Sequence, residues 1–170
     1  MAANGSPLSA TGDYGAKTSR EAARTTRAGP EPFGDPLSGI LLVAEPAAGA
    51  ANARVVDALR RSLATVKLDE AYVTWIHSDL LEEILSLEPG ALVAVGPAAA
   101  RAIDSLDYPL ARMAFSEVPE GSWFAWTKGA SGLRLPALAP ALEDEDAKRH
   151  FWRAFLALRA LAPEEAAGRL

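Results

Sequence analysis

The chain has 170 residues, 49% of them hydrophobic, no cysteine and a formal net charge of -5. This length and apolar content fit one domain with a sizeable core and some chain to spare. The negative balance argues against a protein that coats nucleic acid with its whole surface. The missing cysteines exclude disulfides, cysteine nucleophiles, thiolate zinc sites and cysteine-ligated iron–sulfur clusters.

The longest apolar runs fall short of the ~20 residues that a bilayer-spanning helix needs. The N-terminus also lacks the basic-then-apolar order of a secretory signal. We therefore expect a soluble, cytoplasmic protein that makes no membrane contact.

Residues 1 to 36 are rich in Ala, Gly, Ser, Thr and Pro and show no sustained hydrophobic period. Such a segment buries too little apolar surface to offset the entropy of ordering, so we predict a disordered tail. Its loosely basic stretch either orders on a partner or a phosphate backbone, or is a solvated linker. We expect the folded domain at residues 37 to 163 and a frayed C-terminus at residues 164 to 170. The basic side chains of the tail are Lys17, Arg20, Arg24 and Arg27.

The first half of the domain alternates strand and helix. Apolar or β-branched runs predict strands at residues 40–44, 72–76 and 91–95. Between the strands, apolar residues recur at helical spacing, and Gly96-Pro97 opens a third helix. This β-α-β-α-β-α order favours a parallel sheet with helices on both faces. The residues at helical spacing are Val55, Val56, Leu59 and Leu63, then Leu80, Leu81, Ile84, Leu85 and Leu87.

The second half is less regular. Periodicity weakens from residue 107 to 121, and strands are predicted at 122–126 and 132–136, joined by a hairpin loop at 128–132. A last helix follows the acidic run 143–146, whose charges suit the positive end of the helix dipole. We expect a three-layer α/β/α domain around a mostly parallel four-stranded sheet. The buried side of the last helix is predicted to carry Phe151, Phe155, Leu158 and Leu161.

Candidate chemistry lies in the turns after the strands, because open α/β sheets bind ligands at the carboxyl ends of their strands. Glu45 is the only carboxylate directly after the first strand, where it either orients a water as a base or is an exposed turn acid. His77 is a weak catalytic candidate, because the neighbouring Ser78 does not lie in a recognised nucleophile turn. The residues after β-strand 72–76 are better explained if Ser78 or Asp79 is the N-cap of the following helix.

Gly96-Pro97 is the other candidate turn, but it lacks the further glycines of a phosphate-binding loop. Close packing of helix on strand is the better explanation. We therefore expect no cofactor and no metal. Aromatic residues concentrate in the last third of the chain, either as binding anchors on an exposed strand face or as core. The candidate ligand or partner surface comprises Glu45, Pro46, Trp75, His77, Gly96, Pro136, Trp123 and Trp126.

Five segments carry a family resemblance. They are Val43-Ala44-Glu45-Pro46, Tyr72-Val73-Thr74-Trp75, Pro89 to Gly96, Pro136 to Ala141, and Lys148 with Trp152. In order and spacing they resemble the uracil-DNA glycosylase superfamily, especially its iron–sulfur-containing bacterial branch. The resemblance spans residues 40 to 161 and implies a glycosylase-like fold.

The departures from this family fall on its chemistry. The family motif Tyr-Ile-Thr-Asn ends in Trp75 here, and the His of its Pro-Thr-x-His-Pro-Ala motif corresponds to Ala139. The cluster-binding cysteines are missing as well. Only Glu45 remains at a position that suits catalysis. The resemblance therefore implies a degenerate site, and the alternative is a divergent repair glycosylase that uses Glu45.

Three segments, two of which overlap those above, resemble the psi subunits of bacterial DNA polymerase III clamp loaders, which are compact α/β domains without an active site. They are Val55 to Leu63, Leu138-Ala139-Pro140-Ala141-Leu142, and Arg149-His150-Phe151-Trp152. This resemblance implies a non-catalytic accessory protein of DNA replication or repair. Its partners would be other protein subunits of such a complex, with a weak DNA contact as a secondary one. An unrelated binding role on the same fold is a further alternative.

Overall fold

The computed structural model describes residues 30 to 162. The predicted tail up to residue 29, with its basic stretch, and the predicted frayed C-terminus lie outside the described residues. Within residues 30–162 no helix combines the length and apolar character needed to cross a membrane.

Strands and helices alternate through most of the described region. The strands are β1 (Ile40–Ala44), β2 (Tyr72–Trp75), β3 (Ala91–Val95), β4 (Trp123–Thr127) and β5 (Ala130–Leu135). The α-helices are α1 (Ala51–Thr65), α2 (Leu80–Leu87), α3 (Pro97–Ser105) and α4 (Glu145–Phe155). Short 3-10 helices lie at Phe115–Glu117, Ala139–Leu142 and Leu156–Leu161.

The strands form one mixed sheet in the order β2-β1-β3-β5-β4. β1 pairs parallel with β2 and β3, and β3 pairs parallel with β5, whereas β4 is antiparallel to β5. The predicted α/β class is confirmed, but the predicted four-stranded sheet is wrong, since five strands are present. The connection between β4 and β5 is only two residues long, Lys128 and Gly129. So short a connection closes an antiparallel hairpin and makes the sheet mixed.

Each face of the sheet packs against two helices, which gives the predicted three layers. Helices α1 and α4 cover one face, through buried side chains such as Leu59 and Phe155. Helices α2 and α3 cover the other, through Ile84 and Ile103. Consecutive residues of a strand point to opposite faces, so β1 and β3 must be apolar throughout to supply both cores. Both strands are almost completely buried.

The edge strand β2 is covered by residues just before the predicted start of the domain. Phe33 and Val73 exchange two backbone hydrogen bonds of 3.1 and 2.7 Å as an antiparallel bridge. The guanidinium of Arg60, on α1, lies 4.1 Å from the centre of the Phe33 ring. Contacts with the domain thus begin before residue 37, and they satisfy backbone groups that an open sheet edge would expose.

The C-terminal helical region follows the predicted acidic start. The Asp144 side chain caps α4 by accepting the Ala147 N–H at 2.8 Å, and Glu145 and Asp146 lie in the first turn. Beyond Phe155 the chain tightens into the 3-10 helix, so the predicted single helix consists of two segments.

Candidate functional site

The carboxyl ends of the four parallel strands meet along one edge of the sheet, because these strands run in the same direction. Glu45, His77, Gly96 and Pro136 lie at or just after these ends, as predicted. β1 lies between β2 and β3. The structure brings Glu45 and Gly96 into contact and places His77 in a separate cluster on the β2 side.

The Glu45 carboxylate is part of a helix N-terminus. Its Oε2 accepts the backbone N–H of Ala98, in the first turn of α3, at 2.7 Å. The N-cap residue of α3 is Gly96, which has no side chain to satisfy that turn. Glu45 therefore supplies the cap from the neighbouring strand, and its negative charge lies at the positive end of the helix dipole.

Gly96 allows this contact because it has no Cβ. Its φ is +103°, and an added Cβ would overlap the Oε2 and Cδ atoms of Glu45. Residues other than glycine rarely adopt a φ in this range. The turn at Gly96 packs closely, as the sequence indicated, and it packs against the Glu45 carboxylate. Since that carboxylate already occupies the start of α3, the turn is a poor phosphate site.

A cavity of about 20 Å³ lies beneath Glu45 and Pro46, with Ala139 in its wall. This volume has room for about one water molecule. An enzyme that acts on a flipped base encloses the whole base in a pocket and reads it through hydrogen bonds. Ala139 offers only a methyl group where the glycosylase resemblance implied a histidine.

His77 is buried, with 3% of its side chain exposed. Its Nδ1 accepts the Asp79 backbone N–H at 3.1 Å, and its Nε2 lies 2.6 Å from Glu83 Oε1. Because Nδ1 is an acceptor, the hydrogen bonds assign the proton to Nε2, which donates it to Glu83. Both ring nitrogens are thus used inside the fold.

Glu83 is the centre of this cluster, and sequence reasoning missed it. Besides His77, its carboxylate accepts hydrogen bonds from Thr74 Oγ1 at 2.9 Å and from the Tyr72 hydroxyl at 3.3 Å. The cluster joins α2 to the edge strand β2. A threonine is an ordinary strand residue, and Glu83 lies beside a second glutamate, Glu82, in the same turn of α2, so nothing in the local sequence predicted this contact. Asp79 is the N-cap residue of α2, as predicted, but its side chain makes no capping bond.

The predicted tryptophans lie mainly in the core. Trp75 and Trp126 are 1% and 2% exposed. The Trp75 indole N–H has no hydrogen-bond partner among the described residues. Trp123 is half-buried, and its indole N–H donates to the Ala157 carbonyl at 3.0 Å, which ties β4 to the last 3-10 helix. Pro136 is buried as well.

A surface groove that the sequence did not indicate lies beside β4. It has a volume of about 330 Å³ and is formed by the end of α3, the loop at residues 106–114, the following 3-10 helix and Trp126. Leu110 is 70% exposed on this loop and Met113 is 45% exposed. The weak periodicity after residue 106 predicted a loop but not which of its apolar residues face solvent.

In the part of the chain that the structure describes, no group of three or more His, Asp or Glu side chains is arranged to hold a metal ion. No protein-family model matches the chain, and no curated protein sequence matches it either.

Proposed function

We propose that this protein is a non-catalytic accessory subunit of DNA replication or repair that acts through protein contacts, most like a clamp-loader psi subunit. The observation that carries the proposal is the bond from the Ala98 N–H to Glu45 Oε2, at 2.7 Å. It commits to the fold the only carboxylate that the glycosylase resemblance leaves for catalysis. The proposal includes a uracil-DNA-glycosylase-like architecture and a cytoplasmic location.

The surroundings of Glu45 support the same interpretation. A general base must come within hydrogen-bond reach of the water or group that it activates. Here one carboxylate oxygen is held at the start of α3, and the space beside it is about 20 Å³. His77, the other titratable candidate at this edge, is buried and bonded at both nitrogens. Both residues thus have hydrogen bonds within the fold, which supports a non-catalytic role.

An accessory role needs a surface that binds protein, and the loop at residues 106–114 provides exposed apolar groups. Leu110 and Met113 are two of the four large hydrophobic residues that are exposed within residues 30–162. Neighbouring exposed hydrophobic side chains that are rimmed by polar residues are typical of contact surfaces. The psi resemblance supplies the class of partner, the subunits of a clamp loader.

Affinity capture tests the proposal. The full-length chain, tagged and expressed at its native level in its own cells, is purified after nuclease treatment and its partners are identified by mass spectrometry. We expect clamp-loader subunits of DNA polymerase III, recovered in proportion to the bait and absent from a tag-only control. Recovery of a stable complex without any replication or repair protein would reject the proposal.

A further inference from the structure

The groove beside β4 is held in shape by the fold. The Arg112 backbone N–H donates to the Trp126 carbonyl at 2.7 Å, which fixes the loop against β4. On the other wall, the Asp104 carboxylate accepts the Phe115 and Ser116 backbone N–H groups at 2.7 and 3.0 Å. A preformed groove loses little conformational entropy when it binds a ligand.

The charges that line the groove are mainly negative. Its lining includes three carboxylates, those of Asp104, Asp107 and Glu117, and one guanidinium, that of Arg112. The Asp104 carboxylate is bonded to the backbone, as described above, whereas Asp107 and Glu117 are exposed. The carboxylates of Asp107 and Glu117 are thus accessible to a ligand, and their negative charge is complementary to a cation.

An aromatic ring supplies the second element of recognition. Tyr108 lines the groove, and its ring lies 4.6 Å from that of Trp126, between centroids, at an angle of 36°. The buried Trp126 fixes one face of Tyr108. A planar guanidinium stacks favourably on such a ring, and carboxylates accept its hydrogen bonds in pairs.

The apolar element is adjacent. Met113 lines the groove, and Leu110 projects from the same loop with 70% of its surface exposed. Two exposed aliphatic side chains beside an acidic, aromatic groove offer contacts to an aliphatic residue next to a basic one in a bound segment.

We propose that this groove binds an arginine side chain of a partner protein, with an aliphatic residue of the same segment packed on Leu110 and Met113. The guanidinium stacks on Tyr108 and bonds to Asp107 and Glu117. This inference rests on the proposed function, because it assigns the partner-binding site of an accessory subunit to the groove. The two proposals can be rejected separately, because arginine binding is measured without any native partner.

The test is a titration of the ¹⁵N-labelled full-length chain with two short peptides, acetyl-Leu-Gly-Arg-Leu-amide and its twin with neutral citrulline in place of arginine. We expect the arginine peptide to shift amide resonances of residues 107–117 and the Trp126 indole resonance. The citrulline peptide should bind about tenfold more weakly, because it lacks the charge that Asp107 and Glu117 attract.

Variants locate the effect. Asp107→Asn with Glu117→Gln should weaken the arginine peptide about tenfold and reduce the dependence of its affinity on salt. Leu110→Ser with Met113→Ser should weaken both peptides alike. Glu82→Gln with Glu88→Gln removes the same charge from exposed positions on α2 and its C-cap and should change neither affinity.

Several outcomes would overturn the proposal. These are equal affinity for the two peptides, shifts confined to another surface, or no saturable shift up to about 10 mM peptide, well beyond the millimolar range expected of so small a contact. Groove resonances that move with protein concentration alone would assign the groove to a second copy of the chain. The peptide-free spectrum of a variant with Arg20, Arg24 and Arg27 replaced by Gln provides a further test. If its groove resonances differ from those of the unmodified protein, the groove binds the chain's own basic stretch.

Discussion

The carboxyl-end edge of the sheet and the groove beside β4 use acidic residues in opposite ways. At the sheet edge, Glu45 and Glu83 accept hydrogen bonds from the protein itself, and the nearby cavity is about 20 Å³. In the groove, Asp107 and Glu117 are exposed beside a volume of about 330 Å³. The acids at the sheet edge are thus bonded within the protein, whereas those of the groove are exposed.

This difference separates acids that stabilise the fold from acids that a ligand can contact. A carboxylate that caps a helix or satisfies buried donors stabilises the fold. Substitutions at the sheet edge should therefore change stability, and substitutions in the groove should change binding.

The largest expected effect is at Glu83. Glu83→Ala would leave His77 Nε2–H and Thr74 Oγ1–H without their acceptor in a buried place, at a cost of about 2 to 4 kcal/mol. Glu82→Ala, in the same first turn of α2 but exposed, should cost less than about 0.5 kcal/mol. Urea unfolding followed by circular dichroism measures both. Equal losses would show that the cluster is not what holds α2 to β2.

Gly96 should have the next largest effect. Gly96→Ala forces a side chain into a φ of +103° and against Glu45, so we expect a loss of about 2 to 3 kcal/mol. Gly129→Ala is the matched control, because a Cβ there meets nothing within 4 Å. A Gly96→Ala protein as stable as the control would contradict the close contact in this turn.

A smaller loss is expected at Glu45. Glu45→Ala removes the cap of α3 and should cost about 1 kcal/mol. It should also reduce the further cost of Gly96→Ala by a similar amount, because the carboxylate that the new Cβ would meet is gone. Thermal unfolding of the two single variants and the double variant provides this cycle, and strict additivity would argue that the residues act independently.

The smallest effect on stability is expected in the groove. Leu110→Ser and Met113→Ser replace exposed side chains and should change the free energy of unfolding by less than about 0.5 kcal/mol each. Capture experiments with the same variants should nevertheless recover less of the partner. Normal recovery from the double variant would remove this loop from the contact surface.

The hydrophobic pattern was enough to predict the first half of the fold. β1 and β3 are continuous apolar runs because helices cover both faces of the sheet, and Leu59 and Ile84 recur at helical spacing because each helix has one buried side. The sheet as a whole was harder to predict. Nothing local to β4 and β5 states how many residues their turn contains or which neighbour β5 adopts.

The contacts of Glu45 and Glu83 at the sheet edge could not be predicted from the local sequence either. Glu45 meets Gly96 only because β1 lies beside β3, and Glu83 turns inward only because Thr74 and His77 lie beneath it. These contacts depend on strand order and helix rotation, which tertiary packing determines. The sequence identifies Glu45 and Gly96 as candidates, but their shared structural role depends on the pairing of β1 with β3.

A uracil-excision assay, with the full-length chain in molar excess over DNA, tests directly whether Glu45 has a structural role rather than a catalytic one. Substrates are single-stranded DNA with one uracil and duplex DNA with a uracil–guanine mismatch. We predict no excision above the rate in buffer, for both the unmodified protein and Glu45→Gln. Excision by the unmodified protein that is abolished by Glu45→Gln would show that Glu45 is a catalytic residue.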